Sequence, residues 1–201
     1  MLEIAGPPAP ETLTRDQFER RQRIVRAALK ALAGSDYERV KVSEVARDSG
    51  VALGTLYRYF ASKEHLFAAA YAQWQSALKV KLEKSAPEGQ TEADRLRDVF
   101  RRVVKAFQLQ PQFWGVMMMM ISTSDPYAAE LHQSMGELFH DIVQSAFDGP
   151  FDEDRAAIYS TLVAVLTHGL SSWSMKRKTI KDVYRQVDDA IRLIYEFPPA
   201  R

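Results

Sequence analysis

The sequence predicts an all-α protein of about nine helices, and three observations support this fold class. Apolar residues recur every three or four positions along most of the 201 residues, which is the period of a helix. No run of alternating apolar and polar residues lies between the tight turns that a β-hairpin needs. Clusters of proline, glycine and serine divide the pattern into segments of ordinary helix length.

Four helices are predicted in the first part of the chain, over residues 15–33, 42–49, 53–60 and 62–85. Ile24 and Leu32 lie on one apolar face of the first helix, and Gly34 ends it. Gly50 separates the two short helices that follow. Ser62 offers an N-cap oxygen to the fourth helix, and the stretch SAPEGQ ends it.

Five helices are predicted in the remainder, over residues 91–109, 112–122, 126–147, 152–178 and 179–197. Pro111 ends the first of these. The next helix begins at Pro126, because the fixed φ of proline suits the first helical position, and Asp125 before it offers an N-cap oxygen. Thr179 caps the last helix.

Composition excludes several classes of protein. The chain has no cysteine, which excludes disulfides and thiolate metal sites and agrees with a reducing cytosol. The start of the chain lacks the basic and apolar regions of a signal peptide, and the longest apolar run, residues 113–121, is too short to cross a bilayer. We therefore expect a cytoplasmic protein in which residues 1–14 form a disordered tail.

The two short helices, joined by DSGVAL, have the proportions of a helix-turn-helix. A generic α-hairpin has the same spacing, so spacing alone leaves both interpretations open. Charge favours the helix-turn-helix. Between Leu13 and Lys63 eleven lysines and arginines stand against six acids, an excess of five positive charges in a chain whose net charge is +1. Positive charge held against phosphates supplies much of the affinity for DNA.

The stretch GTLYRYF also has an unusual surface. On a helix Leu56 and Phe60 share the inward face, while Thr55, Arg58 and Tyr59 lie away from it. Hydroxyls and a guanidinium suit phosphates and base edges.

The start of the same helix is small or apolar. Gly54 lets the backbone approach a groove, and Leu53 suits contact with a thymine methyl group. Tyr57 lies at the margin of the buried stripe.

These residues occur in the stretch VKVSEVARDSGVALGTLYRYFASKEHLFAAAY, which resembles the DNA-binding domain of the TetR family of transcriptional repressors. The resemblance covers roughly residues 15–70 and implies that residues 53–60 form the recognition helix in the major groove. It implies base contacts from Leu53, Gly54, Thr55 and Ser43, and phosphate contacts from Tyr57, Tyr59 and Lys63. The sequence departs from the family at Lys41, where a capping threonine is common; lysine accepts no hydrogen bond, but its charge suits phosphate.

The resemblance also implies the domain organisation: a helix-turn-helix DNA-binding domain over residues 15–62 and a ligand-binding and dimerisation domain over residues 63–201. Further along, QPQFW and VDDAIRLIYE are similar to the KstR-like branch of the family, which controls steroid and lipid catabolism.

We expect a homodimer formed by the last two helices, residues 153–178 and 180–197. The stretch AIYSTLVAVLTHGLSSW is apolar over more of its circumference than one stripe requires. A second stripe is formed by Val183, Val187, Ile191 and Ile194. The alternative is that both helices are buried within a single chain.

We also expect an apolar effector pocket between helices of the second domain. The candidates are aromatic, methionine and aliphatic residues: Trp74, Phe100, Phe107, Phe113, Trp114, Met117, Met118, Ile121, Leu131, Met135 and Leu166. Each of them fits plain core equally well. Few charges interrupt this set, which predicts a hydrophobic ligand such as a lipid, steroid, acyl derivative or aromatic compound.

No constellation of catalytic residues stands out. His132 and His140 are too far apart on one helix to share a metal, and the Glu-x-x-His spacing of a carboxylate metal site occurs only once, at Glu137–His140. No Ser-His-Asp order or phosphate-binding loop is visible. We expect no enzyme activity, catalytic residue, metal or cofactor. The sequence predicts a dimeric repressor that hydrophobic small molecules release from a palindromic double-stranded DNA operator. The alternative is a helical protein-interaction adaptor that does not bind DNA.

Overall fold

A computed structural model describes residues 6–196, and this part of the chain contains nine α-helices, two short 3₁₀ helices and no strand. The helices are α1 (Arg15–Ala33), α2 (Val42–Asp48), α3 (Leu53–Tyr59), α4 (Lys63–Glu83), α5 (Glu92–Leu109), α6 (Gln112–Ser122), α7 (Pro126–Gln144), α8 (Glu153–Ser174) and α9 (Ile180–Glu196). The 3₁₀ helices are Pro10–Thr12 and Tyr37–Arg39. The predicted fold class is confirmed.

Local capping explains why most helices begin where the sequence predicts. Three predicted N-caps are confirmed, with side-chain oxygens between 2.8 and 3.3 Å from the backbone nitrogens that donate to them: Ser62, Asp125 and Thr179. Each such cap stabilises its helix by about 1 kcal/mol.

The ends of α7 and α8 differ from the prediction, because both helices stop three or four residues early. At the end of α8 the backbone turns at Lys176, whose φ of 58° lies in the left-handed region. The nitrogen of Arg177 then donates to the carbonyl of Ser172 at 2.9 Å. A lysine in this conformation has no sequence signal, since glycine or asparagine usually occupies it.

The N-terminal tail was predicted over residues 1–14. Residues 1–5 lie outside the described residues, as does Phe197, the predicted end of the last helix. In the described part of this segment Pro10–Thr12 forms a 3₁₀ helix, and Thr14 caps α1 in a reciprocal pair with Gln17. No helix among residues 6–196 is long and apolar enough to cross a membrane.

The chain divides into two compact units. In the described part, unit 1 comprises residues 6–75 and 115–135, and unit 2 comprises residues 76–114 and 136–196. Helices α4, α6 and α7 contribute residues to both units. The division predicted at residues 62 and 63 stays a prediction.

Unit 1 holds the first three helices around the start of α4. Ile24 of α1 and Leu56 of α3 are fully buried, and the run 66–71 of α4 is buried on every side. Ser62 begins this helix, so a long helix whose first turns are mostly buried follows directly after α3. Phe18, which the helical period places near the apolar face of α1, is 42% exposed.

Unit 2 is built around the packing of α5, α8 and α9. The apolar stripe of α9 faces inward here: Val183, Val187 and Ile191 are at most 1% exposed in a single chain. A methyl group added at Gly169 of α8 would lie 3.2 Å from Val183, so the two helices approach closely at this glycine. The expectation that this stripe faces a partner is wrong for these three residues, because they pack within their own chain.

Candidate functional site

The turn between α2 and α3 is set by its backbone. Gly50 has a φ of 71°, a conformation that glycine adopts without steric cost. The hydroxyl of Ser49 donates to the carbonyls of Val45 and Ala46 at 2.8 and 3.0 Å, which closes the last turn of α2. The two short helices therefore form the helix-turn-helix that the sequence predicted.

Helix α3 has one buried and one exposed face. Leu56 and Phe60 are 0% exposed, as the helical period predicted. On the other side Leu53 and Tyr57 are 42% and 44% exposed, and Arg58 is exposed as well. An apolar side chain, a phenol and a guanidinium thus stand together in solvent on a helix anchored through its opposite face.

Tyr59 lies elsewhere than expected. Its side chain is 7% exposed, so it does not project away from the core. A cavity of about 110 Å³ beside it is lined by Pro8, Leu13, Gln17, Arg20, Thr55, Arg58 and Tyr59. The N-terminal segment and α1 cover this side of α3, and Thr55 is therefore half-buried. A DNA contact from Tyr59 stays a prediction that needs this cover to move.

Two predicted contacts lie at the start of α2. Lys41 and Ser43 are both exposed. The side chain of Lys41 makes no cap hydrogen bond to α2, and its ammonium lies 4.0 Å from the carboxylate of Glu44. An exposed pair at this distance is worth little, so the Lys41 charge remains available to a phosphate.

Lys63 is held by its own domain. Its ammonium donates to the carbonyl oxygen of Glu38 at 3.2 Å and lies 4.6 Å from the centre of the Tyr37 ring. The hydroxyl of Tyr37 in turn donates to Glu64 at 3.2 Å. These contacts fix the charge of Lys63 at the start of α4, where the helix dipole also favours an anion.

Most of the positive charges in this region are unpaired. Ion pairs engage Arg15, Lys41 and Arg47. Within residues 6–196 the other eight cations between Leu13 and Lys63 have no carboxylate within 4.0 Å, although Arg21 also feels the charge of Glu11: Arg20, Arg21, Arg23, Arg26, Lys30, Arg39, Arg58 and Lys63. All but Arg21 are at least partly exposed, so the local excess of charge faces solvent.

An aromatic cluster that the sequence analysis did not predict anchors the end of α3. The ring of His65 packs edge-on against Phe60 at 5.3 Å and stacks on Tyr127 at 5.0 Å. The guanidinium of Arg21 lies 4.9 Å from the centre of the Phe60 ring. Nδ1 of His65 accepts a hydrogen bond from the backbone nitrogen of Ala61 at 3.2 Å. No local motif signals this cluster, because its members come from four separate segments.

Electrostatics keep His65 neutral. The side chain is 9% exposed, and its burial, together with the positive charge of Arg21, lowers its pKa from 6.5 to about 4, while Asp125 opposes the shift. Because Nδ1 already accepts from Ala61, the neutral ring carries its proton on Nε2.

The predicted effector residues divide between the two units. In unit 1, Met135 is buried, and Ile121 is 49% exposed. Trp74, Met117, Met118 and Leu131 of this unit are half-buried. Among the four consecutive methionines only Met120 is buried, at 2% exposed, so the run has no common environment.

The remaining candidates belong to the core of unit 2: Phe100, Phe107, Phe113, Trp114 and Leu166 are all at most 5% exposed. Phe107 and Trp114 pack edge to face at 5.2 Å. The indole nitrogen of Trp114 is buried and has no hydrogen-bond partner within the described chain. These contacts are those of a packed interior, and a ligand role for these residues stays a prediction.

Two cavities in unit 2 lie along the end of α4. One, of about 290 Å³, is mostly apolar and includes Val99, Pro87 and Ile142. The other, of about 370 Å³, has both cations and acids in its lining, among them Lys81, Lys105 and Asp98. Both are also lined by Leu82, Ser85 and Arg102. None of the predicted effector residues lines either cavity.

Comparison with protein families matches both parts of the chain. Residues 24–70 match the bacterial regulatory proteins of the tetR family, and residues 89–194 match the tetracyclin repressor-like C-terminal domain. The first match contains α2, α3 and the buried half of α4.

Individual relatives are similar over nearly the whole chain. The HTH-type transcriptional repressor KstR of Mycolicibacterium smegmatis is 31% identical over 195 residues, which are 96% of this chain and 96% of the relative. A TetR transcriptional regulator from Rhodococcus sp. RHA1 is similar in structure, with a TM-score of 0.77, 25% identity, and coverage of 92% of this chain and 100% of that one. Thermus thermophilus FadR in complex with lauroyl-CoA has a similar fold, with a TM-score of 0.68, 20% identity, and coverage of 90% and 96%.

Proposed function

Because the chain belongs to the TetR family of bacterial regulatory proteins, we propose that it is a dimeric repressor that leaves its DNA operator when it binds a hydrophobic small molecule. The protein acts by binding alone, in the cytoplasm where it meets DNA. The observation that carries the proposal is the two-faced helix α3: Leu56 and Phe60 hold it in the core, while Leu53, Tyr57 and Arg58 face solvent.

Residues from α2 to the start of α4, some exposed and some half-buried, have different roles in DNA recognition. Leu53, Gly54 and Thr55 at the start of α3 meet base edges in the major groove, and Ser43 reads one further base. Lys41, Tyr57, Arg58 and Lys63 hold phosphates on either side, and Tyr59 joins them if the N-terminal segment moves. The unpaired cations of α1 add affinity that does not depend on sequence.

The dimer forms through an exposed face of α8. Four small or polar residues spaced four, three and four apart lie in solvent in the single chain: Ala157, Thr161, Ala164 and His168. Small side chains on one helical face let two helices approach closely. Ile194 and Leu193 of α9, half-buried and exposed respectively, extend the apolar part of this surface. A twofold dimer places two heads on half-sites about 34–36 Å apart.

The effector is an amphiphile with a long apolar part, in the chemical range of lipids, steroids and acyl thioesters. The KstR relative suggests this class through the branch to which it belongs, and the FadR structure contains lauroyl-CoA. In this chain one cavity of unit 2 is lined by Lys81, Lys105 and Arg102 and by two acids, Glu88 and Asp98. Both acids pair with Arg102, whereas Lys81 and Lys105 form no ion pair in the described part, so the two lysines suit an anionic end group. The adjoining apolar cavity suits carbon chain.

Helix α4 couples effector to operator. Its first turns carry His65 and the buried run 66–71 that supports α3, and its last turns carry Leu78 and Leu82 at the cavities of unit 2. A ligand that shifts the last turns changes the support of the recognition helix, and the two heads lose their operator spacing. Allostery of this kind is a coupling free energy between two sites.

Two measurements test the proposal. The operator is selected from random DNA, and lauroyl-CoA, oleate and a steroid panel are then titrated against the protein–operator complex by fluorescence anisotropy. We expect nanomolar operator binding that falls steeply with salt, and release by at least one amphiphile. Failure of DNA retention even at low salt would favour a protein-interaction adaptor, while tight binding of every amphiphile without release would sink the coupling through α4.

A further inference from the structure

Arg102 of α5 stands at the boundary that the two cavities of unit 2 share, since it lines both of them. Its Nη1 donates to the backbone oxygen of Ser85 at 3.0 Å and to the Ser85 hydroxyl at 2.9 Å. Its Nη2 donates to the backbone oxygen of Ala86 at 3.4 Å. One guanidinium therefore binds the chain just after the end of α4. The side chain is 22% exposed, so a ligand in either cavity can reach it.

Two carboxylates hold this guanidinium unequally. Asp98 lies one turn earlier in α5, and its Oδ2 is 2.6 Å from Nη2 of Arg102. Glu88 belongs to the connection between α4 and α5; its carboxylate is 3.7 Å from the same nitrogen, and its side chain is 84% exposed. An exposed ion pair contributes little to stability, because water screens both charges. Asp98 therefore orients the guanidinium, whereas another anion can replace Glu88 at little cost.

The charges around Arg102 favour such an exchange. Lys81 and Lys105 line the same cavity of about 370 Å³ and have no carboxylate within 4.0 Å in the described part of the chain. When the Glu88 carboxylate moves into solvent, three cations of the lining face a single acid, Asp98. A guanidinium matches the oxygens of a carboxylate or phosphate with two parallel hydrogen bonds. The lining thus suits an incoming anion better than a neutral group.

We infer that Arg102 is a specificity-determining residue of the effector site: it binds the anionic end group of the amphiphile in place of Glu88, while the carbon chain occupies the adjoining apolar cavity. This inference rests on the proposed function. A neutral alcohol brings no charge to replace that of Glu88, so its end group gains less at Arg102. Because Arg102 also binds Ser85 and Ala86, an anion held there acts on the end of α4, the helix to which the proposed function assigns the coupling.

The test compares three probes with the same twelve-carbon chain: laurate, dodecyl phosphate and 1-dodecanol. Binding to the full-length protein is measured by equilibrium dialysis of the radiolabelled probes at about pH 7.5, where both acids are ionised. We expect at least one anion to bind at least about tenfold more tightly than the alcohol, as charge-assisted hydrogen bonds provide. The tighter of the two shows whether a carboxylate or a phosphate is preferred, and it is the probe for the variants.

Two variants change the anion site in opposite directions. Arg102→Gln should reduce the preference for the anion to within about twofold of the alcohol, whereas Arg177→Gln, which removes an exposed arginine elsewhere in unit 2, should keep it. Glu88→Gln removes the internal competitor, so the anion should bind about two- to fivefold more tightly while the alcohol is unaffected. Glu137→Gln makes the same change of net charge at an exposed position of α7 and should alter neither affinity.

The outcomes separate the two claims. The role of Arg102 is overturned if neither anion outbinds the alcohol, if the preference survives Arg102→Gln, or if Glu88→Gln leaves anion affinity unchanged. Glu88 is exposed, so the last of these decides the matter even where Arg102→Gln does not fold. If none of the three probes binds the wild type, the effector class of the proposed function fails, and the role of Arg102 fails with it.

Discussion

The imidazole of His65 lies flat against the ring of Tyr127, with the ring centroids 5.0 Å apart and the planes inclined by 14°. His65 is the third residue after the Ser62 cap, and its backbone nitrogen donates to the Ser62 hydroxyl. Its Nδ1 accepts a hydrogen bond from the backbone nitrogen of Ala61, the residue after Phe60. Tyr127 stands at the start of α7. The stack therefore joins the end of the recognition helix to a distant segment of unit 1 through one neutral ring.

Acid should weaken this arrangement. In the unfolded chain His65 takes up a proton near its ordinary pKa of 6.5, whereas in the folded chain burial and Arg21 lower that pKa to about 4. The stability that depends on the neutral ring is thus fully present above pH 6.5 and is lost as the pH falls from 6.5 towards 4. The complete loss is on the order of 3 kcal/mol. Urea unfolding at about pH 7.5 and pH 5 measures the part lost between them, about 2 kcal/mol.

Other groups also titrate in this range, so the contribution of His65 needs a difference between two proteins. His65→Asn removes the titration and keeps an acceptor for the backbone nitrogen of Ala61. Its unfolding free energy should change with pH by about 2 kcal/mol less than that of the wild type over the same interval. If the unfolding free energies of the two proteins change equally with pH, protonation of His65 does not contribute to the loss of stability in acid.

The positions that sequence reasoning found are those governed by near neighbours in the chain. The start of α7 depends on Asp125 and Pro126 alone, because the Asp125 carboxylate and the proline ring act within the first turn. Leu56 and Phe60 are both buried because the helical period places them on the same face. Tyr59 lies on the outward side by the same period, yet it is buried. A segment some forty residues earlier covers it, and no local pattern carries that contact.

The same limit explains why the sequence did not predict which surface covers the α9 stripe or which ring stacks on His65. An apolar stripe predicts only that some surface will cover it. For Val183 and Ile191 the covering residues belong to the same chain, because both side chains are buried in the monomer. The partners His65 and Tyr127 are 62 positions apart, so only the folded structure brings the rings together.

Replacement of Lys63 by glutamine should weaken binding to every DNA sequence by a similar factor. Its ammonium stands at the start of α4, and loss of one phosphate contact lowers the slope of log affinity against log salt by about one. The contacts with Glu38 and Tyr37 are partly exposed, so the unfolding free energy should fall by less than about 1 kcal/mol. Salt titration of anisotropy measures the slope.

Lys181→Gln is the matched control, since it removes an exposed lysine from α9 in unit 2. The control should leave the salt slope unchanged. A slope that is identical for Lys63→Gln and wild type would remove Lys63 from the phosphate contacts.

Tyr57→Phe and Ser43→Ala should have different effects on recognition. Tyr57→Phe keeps the exposed ring and removes only the hydroxyl, so affinity should fall about three- to tenfold for all sequences alike.

Ser43→Ala removes a group proposed to meet a base edge, so the selected sequence should change at one position of each half-site. Selection from random DNA with both variants gives the answer, and a changed base preference in Tyr57→Phe would reverse the assignment.

Arginine in place of Ala164 should separate the protomers. Ala164 lies between Thr161 and His168 on the exposed face of α8. If this face is the proposed interface, a long charged side chain there would be buried in the dimer without a partner. Such burial costs several kcal/mol, so dimer affinity should fall by at least about 100-fold. Ala129→Arg introduces the same side chain at an exposed alanine of α7 and should leave the dimer intact. Sedimentation equilibrium measures the dimer affinity of both variants, with circular dichroism to verify folding.

Because the palindromic operator needs two heads at a fixed spacing, the monomeric variant should also lose operator affinity while it keeps weak binding to a single half-site. A folded Ala164→Arg protein that dimerises like the wild type would place the interface elsewhere.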